Sequence, residues 1–493
     1  MEKSVEKSVG KSTERLSQNV DPGRRNALLI CLVAGFMTLL DVSIVNVALP
    51  SMEHSLDMST TDVTWAVAGY ALTFGLTLVP AGRLGDIYGR RKLFLTGLAL
   101  FAVTAVICGA APNATVLIVG RLCRGVSAGL LAPQVIGLMQ QMYTGPRRGK
   151  ALGYYGATVG LSTAIGPLLG GIVLQVFGVA EGWRYVFYLS IPVVLVTLAF
   201  GYQVLPADQR GGARHTLDLL GALLLGLGVL TIMLPLLQAT GVDARPRFWL
   251  FAVGAVLLVV FAFREQRLSA RGGHPLVDLK LFTIRSFSIG TMVAAAFFSG
   301  FTSIFLVITL FLQQGLDYSA LQAALSTLIF TVGSTGSAII GGRIVHRVGR
   351  RPVLIGSAAA TLGLTALALL AHSWTGPNAA LVLAAPLLVA GCGCGFVIAA
   401  NQTLTLRGIT RHAGVAAGVY ETGQRIGTAL GTALAGALFF GELARTGGDY
   451  HAAAGLGLTS SAVLVGIAFL ITLVDILRPV RRATAADTEV GPR

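Results

Sequence analysis

Fourteen apolar runs, each long enough to cross the roughly 30 Å hydrocarbon core of a bilayer, divide this chain of 493 residues. They lie near residues 26–48, 63–81, 93–111, 115–141, 151–173, 184–204, 217–238, 248–264, 286–312, 320–341, 353–371, 379–404, 413–439 and 455–477. In lipid no water is present to bond a bare peptide group, so runs of this kind are helices. Only 12% of the residues are charged, against about 25% in ordinary soluble domains. The fold class expected is therefore an all-α polytopic membrane protein.

The net charge of +15 would suit nucleic acid if it were clustered on one soluble surface, and it is not. With an even number of spans both termini face one side. The connections on that side, together with the termini, hold thirty of the 37 basic residues, and the opposite connections hold Arg245, Arg247 and Arg445. By the positive-inside rule the basic side is cytoplasmic, so the charge encodes topology in the plasma membrane rather than nucleic-acid binding. All five cysteines fall within spans, where small-residue packing is the simpler reading than a disulfide or zinc framework. The first 25 residues lack the apolar core of a secretory signal and read as a cytoplasmic tail.

An internal repeat organises the spans. Gly82-Arg-Leu-Gly-Asp86-Ile-Tyr-Gly89-Arg90-Arg91-Lys92 recurs at an offset of 260 as Gly342-Arg-Ile-Val-His346-Arg-Val-Gly349-Arg350-Arg351-Pro352. The chain thus divides into a tail (1–25), a six-helix bundle (26–204), a linker with two extra spans (205–284), a second six-helix bundle (285–477) and a second tail (478–493). Parallel repeats about an axis along the membrane normal place a binding site between the bundles, near the midplane.

The loop signature at 82–92 resembles that of the major facilitator superfamily. Further motifs are similar to those of its fourteen-span drug:proton antiporters: Leu40-Asp41-Val-Ser-Ile-Val-Asn46-Val-Ala-Leu-Pro50, Arg121-x-x-x-Gly125, Gly160-x5-Gly166-Pro167-x-x-Gly170-Gly171, Trp183-Arg184 opening the sixth span, and Leu217-Asp218-x-x-Gly221 opening the seventh. The chain departs from that pattern at Arg124, where the family usually has Gln, and at Ile87, where it usually has a basic residue. The resemblance implies export rather than uptake, a coupling role for the first-span Asp41, and a gate in which Gly82, Asp86, Gly89, Arg90 and Arg91 tie helices together when the inside is closed. It also implies that Gly160, Gly166, Pro167, Gly170 and Gly171 shape the interface along which the halves rock. His346, standing where Asp86 stands in the first copy, can hardly make the same acidic contacts.

An ionised side chain at the centre of a span costs about 2.5–3.5 kcal/mol even on the lenient insertion scale. Asp41, Arg121, Arg124, Glu421 and Arg425 must therefore face one another or a wet cavity. Counting about 1.5 Å per residue puts Asp41 and Arg121 at one depth, where they could pair, and Arg124 and Glu421 together near the midplane. Glu421 and Arg425 share a helix face at the favourable i,i+4 spacing. Either they form a fixed ion pair that locks the helix, or Glu421 is a half-desolvated carboxyl group loaded and unloaded by small movements. The second reading makes Asp41 and Glu421 proton carriers, with the arginines setting their charge.

For the cargo, Trp65, Tyr70 and Phe74, the Phe297, Phe301 and Phe305 stripe, and Asn46, Asn401 and Gln402 are candidate lining; an apolar stripe at that spacing equally suits core or lipid, while buried amides need partners. The five buried charges sum to +1, which favours a neutral, zwitterionic or anionic amphiphile. Gly125-Val-Ser127-Ala-Gly129 mimics a nucleophile elbow but lies inside a span rather than at a strand-to-helix turn. Neither a nucleotide loop nor a metal cluster is legible, so the expected energy source is a proton gradient, with no cofactor and no enzymatic activity. The expectation is a proton-coupled multidrug or antibiotic exporter. A metabolite exporter or facilitator of the same fold, or a non-transporting membrane sensor, are the rivals.

Overall fold

The computed structural model describes residues 22–178, 180–208, 218–238, 247–271, 273, 275–374, 378–409 and 413–477. Residues 1–21 of the first expected tail, all of the second and most of the 205–216 connection lie outside the described residues. Every regular element among the described residues is helical. In chain order they are α1 (Pro22–Ser55), α2 (Thr60–Tyr88), α3 (Arg90–Gly109), α4 (Ala114–Met142), α5 (Gly145–Phe177), α6 (Gly182–Tyr188), α7 (Ser190–Val204), α8 (Leu219–Gln238), α9 (Trp249–Ala270), α10 (Arg285–Leu310), α11 (Ala320–Val348), α12 (Arg351–Ser373), α13 (Ala379–Thr405), α14 (Ala413–Arg445) and α15 (Tyr450–Leu477). Thirteen stretches are long and apolar enough to span a membrane, α6 and α7 together counting as one, and α8 adds a shorter apolar helix. The protein is a multi-pass membrane protein.

The repeat extends into the helix ends. Ser59 and Asp62 make a reciprocal capping box that starts α2, and Ser319 and Gln322, 260 residues on, make the same box for α11; such a box satisfies two backbone donors that the first turn leaves open. Both helices run 29 residues and both stop at a glycine of positive φ, Gly89 at +104° and Gly349 at +64°, a region where an L side chain is strained.

Packing across the halves is reciprocal. The fifth helix of the first half, α5, lies on α11, and its counterpart α14 lies on α2. The inserted helices α8 and α9 pack on each other, and α8 leans on α2 and α14. Asp218 begins this insertion by accepting from the Gly221 amide at 2.9 Å and by pairing with Arg264 of α9. The Leu217-Asp218-x-x-Gly221 string is thereby explained as a helix start joined to its partner, with Leu217 itself outside the described residues.

At the end of the bundle carrying the 82–92 loop the two halves touch backbone to backbone. A Cβ on Gly82 would stand 2.3 Å from the Gly414 carbonyl oxygen, and one on Gly342 would stand 2.5 Å from that of Gly149. Gly342→Val should therefore force α5 and α11 apart, at about 1–3 kcal/mol of overpacking. The transport that the resemblance implies should fall roughly tenfold, while Gly171→Val, which meets nothing within 4 Å, should leave it unchanged. Equal activity of the two variants, compared at matched membrane levels, would contradict this role for the contact.

Candidate functional site

Among the described residues, the buried charges singled out above gather in two places, one within the first half and one where the halves meet. In the first, Asp41 of α1 is 5% exposed and receives two arginines of α4: Arg121 Nη1 at 2.8 Å and Arg124 Nε at 2.6 Å. Three further guanidinium nitrogens are also occupied. Arg121 Nε donates to the Ala66 carbonyl at 2.9 Å, Arg124 Nη1 to that of Phe101 at 2.8 Å, and Arg124 Nη2 to Ser190 Oγ at 3.1 Å. Tyr70 and Phe101 present ring faces to Arg121 and Arg124 at 4.4 and 3.8 Å, an attraction that gains strength away from water. Arg121 and Arg124 stand three residues apart and so share one helix face. That is why Arg124 reaches Asp41, correcting the depth count that grouped it with Glu421.

The second centre is organised around Glu421 of α14, which is 5% exposed and faces the Tyr155 hydroxyl of α5, across the junction of the halves. Its Oε2 has no protein partner, and neither has Nε of Arg425. Among the described residues no ion pair joins these two side chains, although their i,i+4 spacing favours one. Instead the Arg425 guanidinium lies 4.2 Å over the ring of Phe74 on α2. The fixed Glu421–Arg425 ion pair entertained from the spacing is therefore replaced by a contact between the halves. Nearby, Asn401 Nδ2 donates to the Gly290 carbonyl at 2.8 Å and approaches the Tyr420 hydroxyl at 3.4 Å, while Asn401 Oδ1, Gln402 Oε1, Thr291 Oγ1 and Thr422 Oγ1 have no protein partner. Buried polar atoms normally have partners, so this concentration of orphans on α10, α13 and α14 marks a region fit for water or a polar solute group.

The other candidate lining residues do not converge there. Tyr70 is 2% exposed, with its hydroxyl donated to the Thr38 carbonyl, and belongs to the Asp41 centre. Phe301 sits among Phe297, Phe298, Phe305 and Phe330 in the core of the second half, because α10 turns that stripe towards its own bundle. Asn46 is on the exposed face of α1, and Trp65 is half-buried against α8 and α14. Tyr155 and Phe74 matter more; the first was not singled out by sequence reasoning, and the second only as lining.

The gate residues form a compact polar knot. Asp86 accepts Arg90 at 2.9 Å and faces the amides of Gly414 and Val415 at 3.3 and 3.4 Å, so a carboxylate of one half lies on the N-terminus of α14 in the other, where the helix dipole favours it. Arg90 Nη1 donates to the Gly137 carbonyl at 2.6 Å and Arg91 to that of Tyr202. Asp208, not anticipated, caps the start of α3 through the amides of Arg91 and Lys92 and fills the space a Gly89 side chain would need. In the second copy Arg350 pairs with Asp475 at 2.8 Å; His346, in the Asp86 position, has an Nδ1 with no protein partner.

The Gly160–Gly171 motif divides differently from expectation. Gly160 does face the other half, at Ser334, but Gly166 and Gly170 seat α5 on α1 of their own half, against Ser43 and Ile44, and Gly171 faces open space. Pro167 lies within α5 between them. The close contact between halves is made further towards the 82–92 end, by Gly149, Gly153 and Gly342.

The profile of the Major Facilitator Superfamily matches residues 31–432. The chain is 33% identical to the puromycin resistance protein pur8 of Streptomyces alboniger over 92% of this chain and 90% of the relative. It is 32% identical to a probable actinorhodin transporter of Streptomyces coelicolor over 85% of this chain and 72% of the relative. Among solved structures, the proton:xylose symporter XylE superposes with a TM-score of 0.67 at 14% identity, covering 92% of this chain and 95% of that one.

Proposed function

The chain belongs to the major facilitator superfamily, and from that premise we propose that it is a proton-coupled exporter of antibiotic-like solutes. It works in the plasma membrane, with the basic loops and both termini in the cytoplasm, following the distribution of Lys and Arg. The observation that carries the reading is Glu421: a buried carboxyl group at the junction of the halves, with one oxygen unpartnered and its neighbouring arginine held elsewhere. A permanent structural charge would be paired; a carboxyl group that takes and gives a proton needs a free oxygen and a nearby cation able to approach.

With the 82–92 end on the cytoplasmic side, the contacts Gly82–Gly414, Gly149–Gly342 and Asp86 on α14 close that end and leave the opposite end to open. Protons enter from outside to Glu421, and cargo leaves. After the halves rock, the Asp86 contacts break, the inside opens, and cargo loads as protons depart. Asp41 holds the Arg121–Arg124 pair and sets the field of the first half. Asn401, Gln402, Thr291 and Thr422 bond the polar portion of the cargo. The arginine surplus favours a neutral, zwitterionic or anionic amphiphile, and the relatives named for actinorhodin and puromycin point to antibiotics as its class. No cofactor is required, because exchanging one proton inward for a neutral solute draws about 2.3 kcal/mol per 100 mV from the membrane potential.

A susceptibility panel in a host stripped of its own pumps tests the function. Expression should raise resistance to some antibiotics, and inverted vesicles acidified inside should accumulate those same compounds. Vesicles that lose the solute on acidification would indicate import instead.

A further inference from the structure

Arg425 stands one turn beyond Glu421 and makes no ion pair with it. Its guanidinium rests 4.2 Å over Phe74, on α2 of the opposite half. Phe74 is 3% exposed and stacks on Tyr70 at 6.0 Å with an interplanar angle of 10°. Tyr70 is fixed in turn by Thr38 through its hydroxyl and by Arg121 over its face. A backed, desolvated ring of this kind holds a guanidinium well, and the backbone of α2 comes close here too, since a Cβ on Gly75 would lie 3.9 Å from that of Arg425. The ring therefore competes with the Glu421 carboxylate for one cation, and the two competitors sit on halves that move relative to each other.

We propose that Phe74 is a positioning residue that links the packing of the halves to the proton on Glu421. While α2 and α14 are packed, the ring holds Arg425 off the carboxyl group, which is free to carry a proton. When they part, the ring withdraws, Arg425 falls onto Glu421, and the O–H proton passes to water as the carboxylate pairs with the guanidinium. The groups facing Glu421 are the Tyr155 hydroxyl from α5 and Arg425 and Tyr420 from α14. Arg425 alone among them is cationic, so no other group of this set can displace the proton by pairing. The inference rests on Glu421 being the proton carrier.

Carbodiimide labelling tests it, because the reagent adds to protonated carboxyl groups shielded from water. The full chain would be reconstituted in vesicles of phosphatidylethanolamine and phosphatidylglycerol and labelled at one fixed pH, with the Glu421 peptide quantified by mass spectrometry. Phe74→Leu keeps most of the side-chain bulk and removes the ring face; it should reduce labelling roughly tenfold and uncouple export. Phe74→Tyr should behave as wild type, and adding Arg425→Gln to Phe74→Leu should restore labelling. Unchanged labelling in Phe74→Leu, or no recovery on removing Arg425, overturns the inference even where Glu421→Gln abolishes coupling. Intact coupling in Glu421→Gln instead removes the reading on which it rests.

Discussion

Asp41→Asn is expected to lower the stability of the folded protein by about 3–5 kcal/mol, the range for breaking a buried ion pair from one side, and to abolish transport. The reason is the two-to-one stoichiometry of the first centre. Arg121 and Arg124, 2% and 0% exposed, share this one carboxylate, and the amide that replaces it brings no charge to oppose them. The loss should be partly reversed by Arg124→Gln in the same chain, which leaves one guanidinium still bonded to the Ala66 carbonyl and lying over Tyr70. Arg124→Gln alone should be mild, since Asp41 keeps Arg121. Thermal unfolding of the four purified proteins forms a double-mutant cycle. A positive coupling between positions 41 and 124 is the expected result, and an Asp41→Asn protein that melts with wild type contradicts the pairing as an energetic fact.

Glu421→Gln should abolish proton coupling with little effect on folding. The amide matches the carboxyl group in shape and can still face the Tyr155 hydroxyl, and no ion pair is lost, because Arg425 lies over Phe74. Expression and melting behaviour should stay near wild type. Uphill export driven by an imposed pH gradient should drop to the passive leak, while exchange of labelled for unlabelled cargo continues, since that exchange needs no net proton transfer. A Glu421→Gln protein that loses exchange and coupling alike would mark Glu421 as part of the cargo site rather than the proton path.

Much of the fold was legible because it is written in residues whose physics is local. The 82–92 string and its copy mark the two halves, and the capping serines 59 and 319 repeat at the same offset. Depth along a helix also follows from residue counts, and it places Asp41 level with Arg121. Depth says nothing of rotation about the helix axis or of the reach of a side chain, however. Arg124, one turn deeper, lies on the same face and extends back to Asp41, which depth alone does not reveal. Glu421 and Arg425 looked paired because spacing within a helix is visible in sequence, whereas the ring that separates them is more than 340 positions away in the chain. The same blindness to neighbours hid Asp208, which caps α3 from the linker that follows the first half, and the partners of Gly166 and Gly170, Ser43 and Ile44 on α1. Phe301 could not be told from a pocket residue by period alone, since core and cavity faces of a membrane helix are equally apolar.

The most direct measurement is cargo and proton flux recorded together in proteoliposomes loaded with a resisted antibiotic and a pH dye. With the side corresponding to the cell exterior made acidic, antibiotic should move uphill towards that side, the pH gradient should dissipate in step with it, and a protonophore should stop the accumulation. Antibiotic flux of the same size with and without the gradient, and indifferent to the protonophore, would contradict proton-coupled export by this chain.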